Sequence, residues 1–207
     1  MFSINDEDKL SQLCDTIKEV VSSHHKIYDL PVLGEYWENV LSKSLRANGI
    51  NNDWTPDLNH VQGLDMIVEG NLRISCKSGQ IMGRQQSDLK FSGSRMTKYE
   101  TLQDKLDYLS DKKEDIYMLL SRSKRDWNRG ERKYSFIAFP SDILQYGTLN
   151  WVDTFATRGN NKGKLNGHKA SDEMLDANIS FSCSHQLWTK IKDFKDNKNI
   201  FIKEISV

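Results

Sequence analysis

The residues best placed to do chemistry lie in one run, GLDMIVEGNLRISCKSG, from Gly63 to Gly79. Two short apolar segments, residues 64–68 and 72–77, flank the turn Glu69-Gly70-Asn71, the signature of a β-hairpin. Side chains alternate across a strand, so Leu72, Ile74 and Cys76 share one face while Arg73, Ser75 and Lys77 share the other. Folding about Gly70 brings Asp65 towards Ser75 and Lys77. A carboxylate and an ammonium then meet on one sheet face, beside a Gly/Ser loop. A carboxylate can hold Mg²⁺, which polarises a phosphate and lowers the pKa of a bound water. A nearby lysine can orient the attacking water and offset charge in the transition state. Phosphodiester hydrolysis needs this equipment, although an Asp and a Lys also face each other on many solvated hairpins.

The hairpin needs elements to hold it. Leu10, Leu13, Ile17, Val20 and Val21 recur at helical spacing over residues 6–23, after a cap at Asn5. Leu30-Pro31-Val32-Leu33-Gly34 interrupts this pattern. A second helix spans 35–47, with Trp37, Leu41 and Leu45 on one stripe and Gly49 as its stop. Residues 51–63 are polar and loop-like, with Pro56-Asp57 as a turn signal. Residues 79–96 read as an exposed loop or irregular strand. Leu102, Leu106 and Leu109 form the core stripe of a helix over 97–109. Residues 115–120 and 134–139 read as strands joined by the charged connection SRSKRDWNRGERK. Pro140-Ser141-Asp142 opens a short helix, and 158–169 is a flexible Gly/Asn/Lys stretch. The segment 179–183, a helix around 185–194 and the segment 200–207 complete the pattern. The expected fold is α/β (α+β), a mixed central β-sheet flanked by helices in a single domain, 1–207. Within it, 1–49 supply helices, 50–140 the catalytic hairpin and core, and 141–207 the elements for DNA contact or dimerisation.

The order of acid, hairpin and Ser75-Cys76-Lys77 resembles the PD-(D/E)xK nuclease core, in particular type II restriction endonucleases. Glu38, followed by Leu41, Leu45 and Gly49, is similar to the first core helix of many such nucleases. Lys77-Ser78-Gly79, then Phe91-Ser92-Gly93-Ser94-Arg95, a leucine-striped helix and two strands, is similar to their layout. A vaguer likeness to a late segment of some restriction enzymes lies in ISFSCSHQLW, residues 179–188. The resemblance runs through about two-thirds of the chain in order, and residues 34–95 carry its specific part. It implies a restriction-endonuclease-like core with Asp65, Glu38 and Lys77 in the active site. Asp65, Glu38 and the backbone carbonyl of Cys76 would be the Mg²⁺ ligands, and Glu35, one turn earlier, the alternative to Glu38. Two departures stand out. Ser75 occupies the place of the usual Asp or Glu two residues before the lysine, so the missing carboxylate would come from the helix. The literal Pro56-Asp57 lies eighteen residues before Ser75, whereas Asp65 lies ten before, on the adjoining strand. Asp65 is therefore the preferred acid and Asp57 a turn residue.

Overall charge gives no sign of a nucleic-acid partner, because 29 basic residues balance 29 acidic ones. Local charge does. Residues 84–98 carry a net +3, residues 122–133 a net +4 and residues 158–169 a net +4, against −5 for residues 1–38. This division suits a basic DNA cleft and an acidic back, although any one basic loop alone is an ordinary solvated segment. Phosphate contacts supply affinity; base edges are read by forked donors and acceptors. Arg84, Gln85 and Gln86, with Ser92, Ser94, Arg95 and Lys98, directly follow the catalytic strand and are the first choices for groove contacts. Asn160, Asn161 and Lys162 would wrap the duplex.

Other residue classes narrow the reading. Cys14, Cys76 and Cys183 are odd in number and widely spaced, which fits a reducing cytoplasm rather than a disulfide framework. Cys76 reads as packing, Trp37 as core and His24-His25 as surface. His60 lies near the site in a loop, and Trp127 is open to either base stacking or a partner interface. No HExxH, P-loop or dinucleotide fingerprint occurs, so no nucleotide cofactor is expected. No signal peptide or membrane-length apolar run is visible. The expectation is a cytoplasmic, Mg²⁺-dependent, sequence-specific endonuclease of the restriction type acting on double-stranded DNA. A homodimer is expected, because a two-fold pair gives one active site per strand. The rivals are a structure-specific or repair nuclease on the same core and a non-cleaving DNA-binding module, the second kept open by Ser75.

Overall fold

The computed structural model describes residues 2–56, 64–111 and 113–207. Helix α1 (Glu7–His25) begins after Asp6, whose carboxylate accepts the Lys9 N–H, one residue beyond the expected cap at Asn5. It buries Leu10, Leu13, Cys14, Ile17 and Val21. Helix α2 (Glu35–Ala47) buries Trp37, Val40, Leu41 and Leu45 and ends before Gly49, whose φ of +73° takes the left-handed turn a glycine tolerates. No helix among the described residues is long and apolar enough to cross a membrane.

Among the described residues ten strands form one mixed sheet: β1 (Met66–Val68), β2 (Leu72–Met82), β3 (Asp88–Arg95), β4 (Ile116–Ser123), β5 (Lys133–Pro140), β6 (Trp151–Phe155), β7 (Leu165–Ser171), β8 (Leu175–Ser180), β9 (Gln186–Ile191) and β10 (Phe201–Ser206). Their order is β10-β5-β4-β2-β3-β9-β8-β7-β6, with β1 also paired to β2. β2 and β4 run parallel, joined through β3 and helix α3 (Leu102–Ser110), and the other pairs are antiparallel. β4 opens on IYMLL, buried without interruption, as a central strand covered on both faces must be. Arg73 and Asp115 lock the entry to the parallel pair. The guanidinium grips both carboxylate oxygens, at 2.7 and 3.2 Å, and the Asp115 N–H returns to the Arg73 carbonyl at 2.8 Å.

Each sheet face has its own core. α1 and α2 cover one face, where Ile74, Cys76, Met118, Leu120, Phe136 and Ile205 meet Leu13, Ile17, Trp37 and Leu41. On the other, Phe91, Tyr117, Leu119, Phe139, Ile179 and Leu187 pack with α3 and residues 143–149.

Several expectations need correction. Of the two readings of residues 79–96, the strand one holds: they are the second half of β2, a turn and β3, which carries an irregularity between Ser92 and Arg95. The stretch 158–169 is not flexible throughout, since β7 begins at Leu165 and pairs on both edges. Residues 185–194 are not helical: β9 alternates Leu187, Thr189 and Ile191 inward with Trp188 and Lys190 outward, a period of two. In α3 the fully buried side chain is Lys105, not a leucine, because its ammonium holds the carbonyls of Tyr99, Glu100 and Thr101 at 2.6, 2.9 and 3.2 Å. His24 and His25 are half-buried rather than surface residues, and the His25 ring meets the Tyr134 hydroxyl at 2.8 Å.

Candidate active site

β2 is wider than its neighbours can cover. β1 pairs with Leu72–Ile74, and β3 takes over on the same edge at Gly79. Between them, at residues 75–78, no strand among the described residues pairs with that edge. Asp65, just before β1, fills this opening. Its N–H stays in the sheet, donating to the Ile74 carbonyl at 3.0 Å, while its side chain leans over β2. Oδ2 accepts from the Cys76 N–H at 2.6 Å, from Lys77 Nζ at 2.8 Å and from the Ser75 hydroxyl at 3.2 Å. The acid and the lysine thus converge as the hairpin arithmetic expects, each side chain 18% exposed.

Oδ1 of Asp65 has no hydrogen-bond donor among the described residues. A strand residue presents its N–H and C=O to the same edge, so the Cys76 carbonyl faces the same opening. The Cys76 thiol points the other way into the helix-covered core. Burial first, then Asp65 and Glu38, hold it far above the ordinary thiol range, so it is neither nucleophile nor thiolate ligand. Ser75 is fully buried, and its one tie to the site is the hydroxyl bond to Asp65. Tyr117, beside Ser75 on β4, donates to Glu114 and is held well above the usual phenol range, mainly by burial.

Glu38 approaches from the helix-covered face. The Gly34 N–H donates to the Ser78 hydroxyl at 2.9 Å, pinning the start of α2 to β2 one residue beyond Lys77. Ser42 and Asn52 exchange two hydrogen bonds, and Asn52 bridges to Val68, tying the middle of α2 to β1. Glu38 accepts from the Trp54 indole N–H at 3.2 Å and is near enough to act on the Cys76 thiol. Glu35 is exposed one turn earlier. Among the described residues no group of three or more His, Cys, Asp or Glu is gathered to hold a metal. Asp57 and His60 lie outside the described residues.

The expected DNA-contact residues divide. Arg84 and Gln85 are exposed at the β2–β3 turn, and Lys98 is exposed after β3. Gln86 bonds Asp126 at 3.1 Å, Tyr108 donates to the Ser94 hydroxyl at 3.3 Å, and Arg95 donates to Gln186 at 3.2 Å. These three are therefore held by neighbours. Asn160, Asn161 and Lys162 are exposed between β6 and β7, the far end of the sheet from β2. Ser92 lines a cavity of about 350 Å³ with Leu33, Ser78, Gln80, Lys90, Arg122, Lys124 and Trp188. Sequence reasoning missed Gln80 and Trp188 here. The period-two pattern of QLWTKI carried that signal for Trp188.

No family model, curated protein or solved structure matches this chain.

Proposed function

We propose that the protein is a Mg²⁺-dependent endonuclease for double-stranded DNA, of the restriction type, with its active site in the opening between β1 and β3. One observation carries this reading. A single carboxylate, Asp65, is oriented by Ser75 and the Cys76 amide and touches Lys77 at an unpaired strand edge. A purely structural ion pair needs no such convergence of donors on one carboxylate oxygen. The residues present fit the metal: Mg²⁺ binds through one or two carboxylates and keeps several waters. Asp65 Oδ1 and the Cys76 carbonyl would hold it, and Glu38 is the nearby second acid. When bound, Mg²⁺ supplies charge neutralisation at the phosphate and an acidified water.

The chain's own groups do the rest. Ser75 and the Cys76 N–H fix one oxygen of Asp65, which leaves the other directed. Lys77 presents its ammonium to the attacking water and to the phosphate oxygens as charge builds on them. Water attacks phosphorus, the bond to the leaving sugar oxygen breaks, and a proton passes to that oxygen.

The test is a digest of plasmid DNA with Mg²⁺, with fragment ends mapped. Discrete bands are expected from the wild type and none from Asp65→Asn. Lys77→Ala is expected to lower kcat by about 10²–10³-fold. Random nicking would instead mark a structure-specific or repair nuclease, and tight binding without cleavage a DNA-binding module. Normal cutting by Asp65→Asn would overturn the assignment.

A further inference from the structure

We infer that the uncovered face of the sheet, running from Ser78 across to β6, is the cradle in which the DNA duplex lies, with Lys90, Trp188 and Lys169 as contacts. This rests on the nuclease reading above but concerns different residues, which lie on the sheet face of Cys76 and Ser78 and not on that of Ser75 and Lys77. Helices α1 and α2 stop covering this face near Ser78. Beyond that point, outward-facing side chains alternate along five strands and line a second cavity of about 590 Å³: Lys90 on β3, Trp188 and Lys190 on β9, Asn178 on β8, Lys169 on β7 and Val152 on β6. Lys90 and Trp188 line both cavities, so the groove is continuous with the one that begins at Ser78.

Charge favours a polyanion. Asp88 and Asp176 both pair with Lys190, and Asp176 also pairs with Lys192. Lys90, Arg122, Lys124 and Lys169 have no carboxylate partner among the described residues. Lys90 lies over the Trp188 ring at 5.1 Å, so the aromatic plane holds a cation at the groove floor. Asn178 is opposite Trp188 in the register and is exposed, an amide able to donate to and accept from a base edge. Size fits as well. From β2 to β6 the sheet crosses five strand spacings of about 4.8 Å, about 24 Å in all. That matches about seven base pairs at about 3.4 Å each.

The experiment measures binding of a fluorescent 30-base-pair duplex by anisotropy, without divalent metal, over a series of salt concentrations. Lys90→Ala/Lys169→Ala is expected to bind at least tenfold more weakly. Its slope of log affinity against log salt should be shallower by about 2, one phosphate contact per lysine. Trp188→Ala is expected to weaken binding with the slope little changed. Wild-type affinity and slope in the double variant would overturn the cradle while leaving the nuclease reading intact. A wild type that neither binds nor cuts duplex would remove both. A normal thermal midpoint in each variant excludes misfolding, because Lys169 is exposed and Lys90 and Trp188 are half-exposed.

Discussion

Asp65 commits one carboxylate oxygen to three donors and leaves the other open, and Ser75 is the least obvious of the three. A second acid at position 75 would sit fully buried, a hydrogen bond away from Asp65, and would have to be neutralised. Serine instead aims the existing acid from a dry position. Its removal loses one hydrogen bond to a charged group, worth about 1.5–3 kcal/mol. Ser75→Ala is accordingly expected to cut at least about tenfold more slowly, by the same 1.4 kcal/mol-per-decade relation, while remaining folded. The decisive readout is a Mg²⁺ titration of the rate, in which half-activation shifts upward if serine positions the ligand. The convergence of Asp65 and Lys77 was legible in the sequence because strand alternation and one turn suffice to derive it. The side from which Glu38 arrives was not, since it depends on the contacts of Gly34 and Trp54 with distant elements.

At the scale of elements, β2 is held by close approach as well as by pairing. A methyl group on Gly79 would lie 2.1 Å from the Ser121 hydroxyl of β4 and 3.0 Å from Leu89. Gly79→Ala is expected to destabilise the protein by about 1–3 kcal/mol in denaturant unfolding, with partial recovery on adding Ser121→Ala. Asp176 staples three strands, bonding Lys190 of β9, Lys192 just beyond it and Ser171 of β7. Burial opposes its ionisation, but these partners outweigh it and push its pKa down to about 2. An unfolded aspartate titrates near 3.9, so the ionised form stabilises the fold above about pH 4 and that contribution fades as pH falls towards about 2. Asp176→Asn is expected to flatten the loss of thermal midpoint across this interval. Both N-terminal helices were readable from their periodicity, β1 and the start of β2 from alternation about a turn, and β4 and β5 from short apolar runs. β9 was not, because a six-residue strand with a central tryptophan and two lysines also satisfies a helical stripe. Lys105 broke the reading of α3 for a related reason, since nothing local announces that an ammonium will turn inward to collect three carbonyls.

For the whole molecule, two halves of one sheet divide the labour. Helices α1 and α2 cover the β10–β5–β4–β2 side, while the β3–β9–β8–β7–β6 side leaves one face bare. The sequence indicated basic loops, yet the cations that line the bare face come largely from strands, where alternation hides a charged stripe among apolar neighbours. A single site of this kind reaches one strand of a duplex. Symmetric cutting of both strands therefore calls for a two-fold pair, and sedimentation of the chain at micromolar concentration is expected to give twice its 24.0 kDa mass. A 24.0 kDa species that still makes double-strand breaks in one encounter would reject that pairing.

The uncovered stretch of β2 has one more effect. Along its edge, amides alternate in direction, so the Ser78 N–H faces the same way as that of Cys76, yet only Cys76 is met by a carboxylate. On the nuclease reading, the main chain along this edge is what a docking anion would meet. On that reading, bound duplex is expected to slow deuterium entry at residues 76–78, so that contact with the substrate would be legible in the hydrogen-exchange pattern of the backbone.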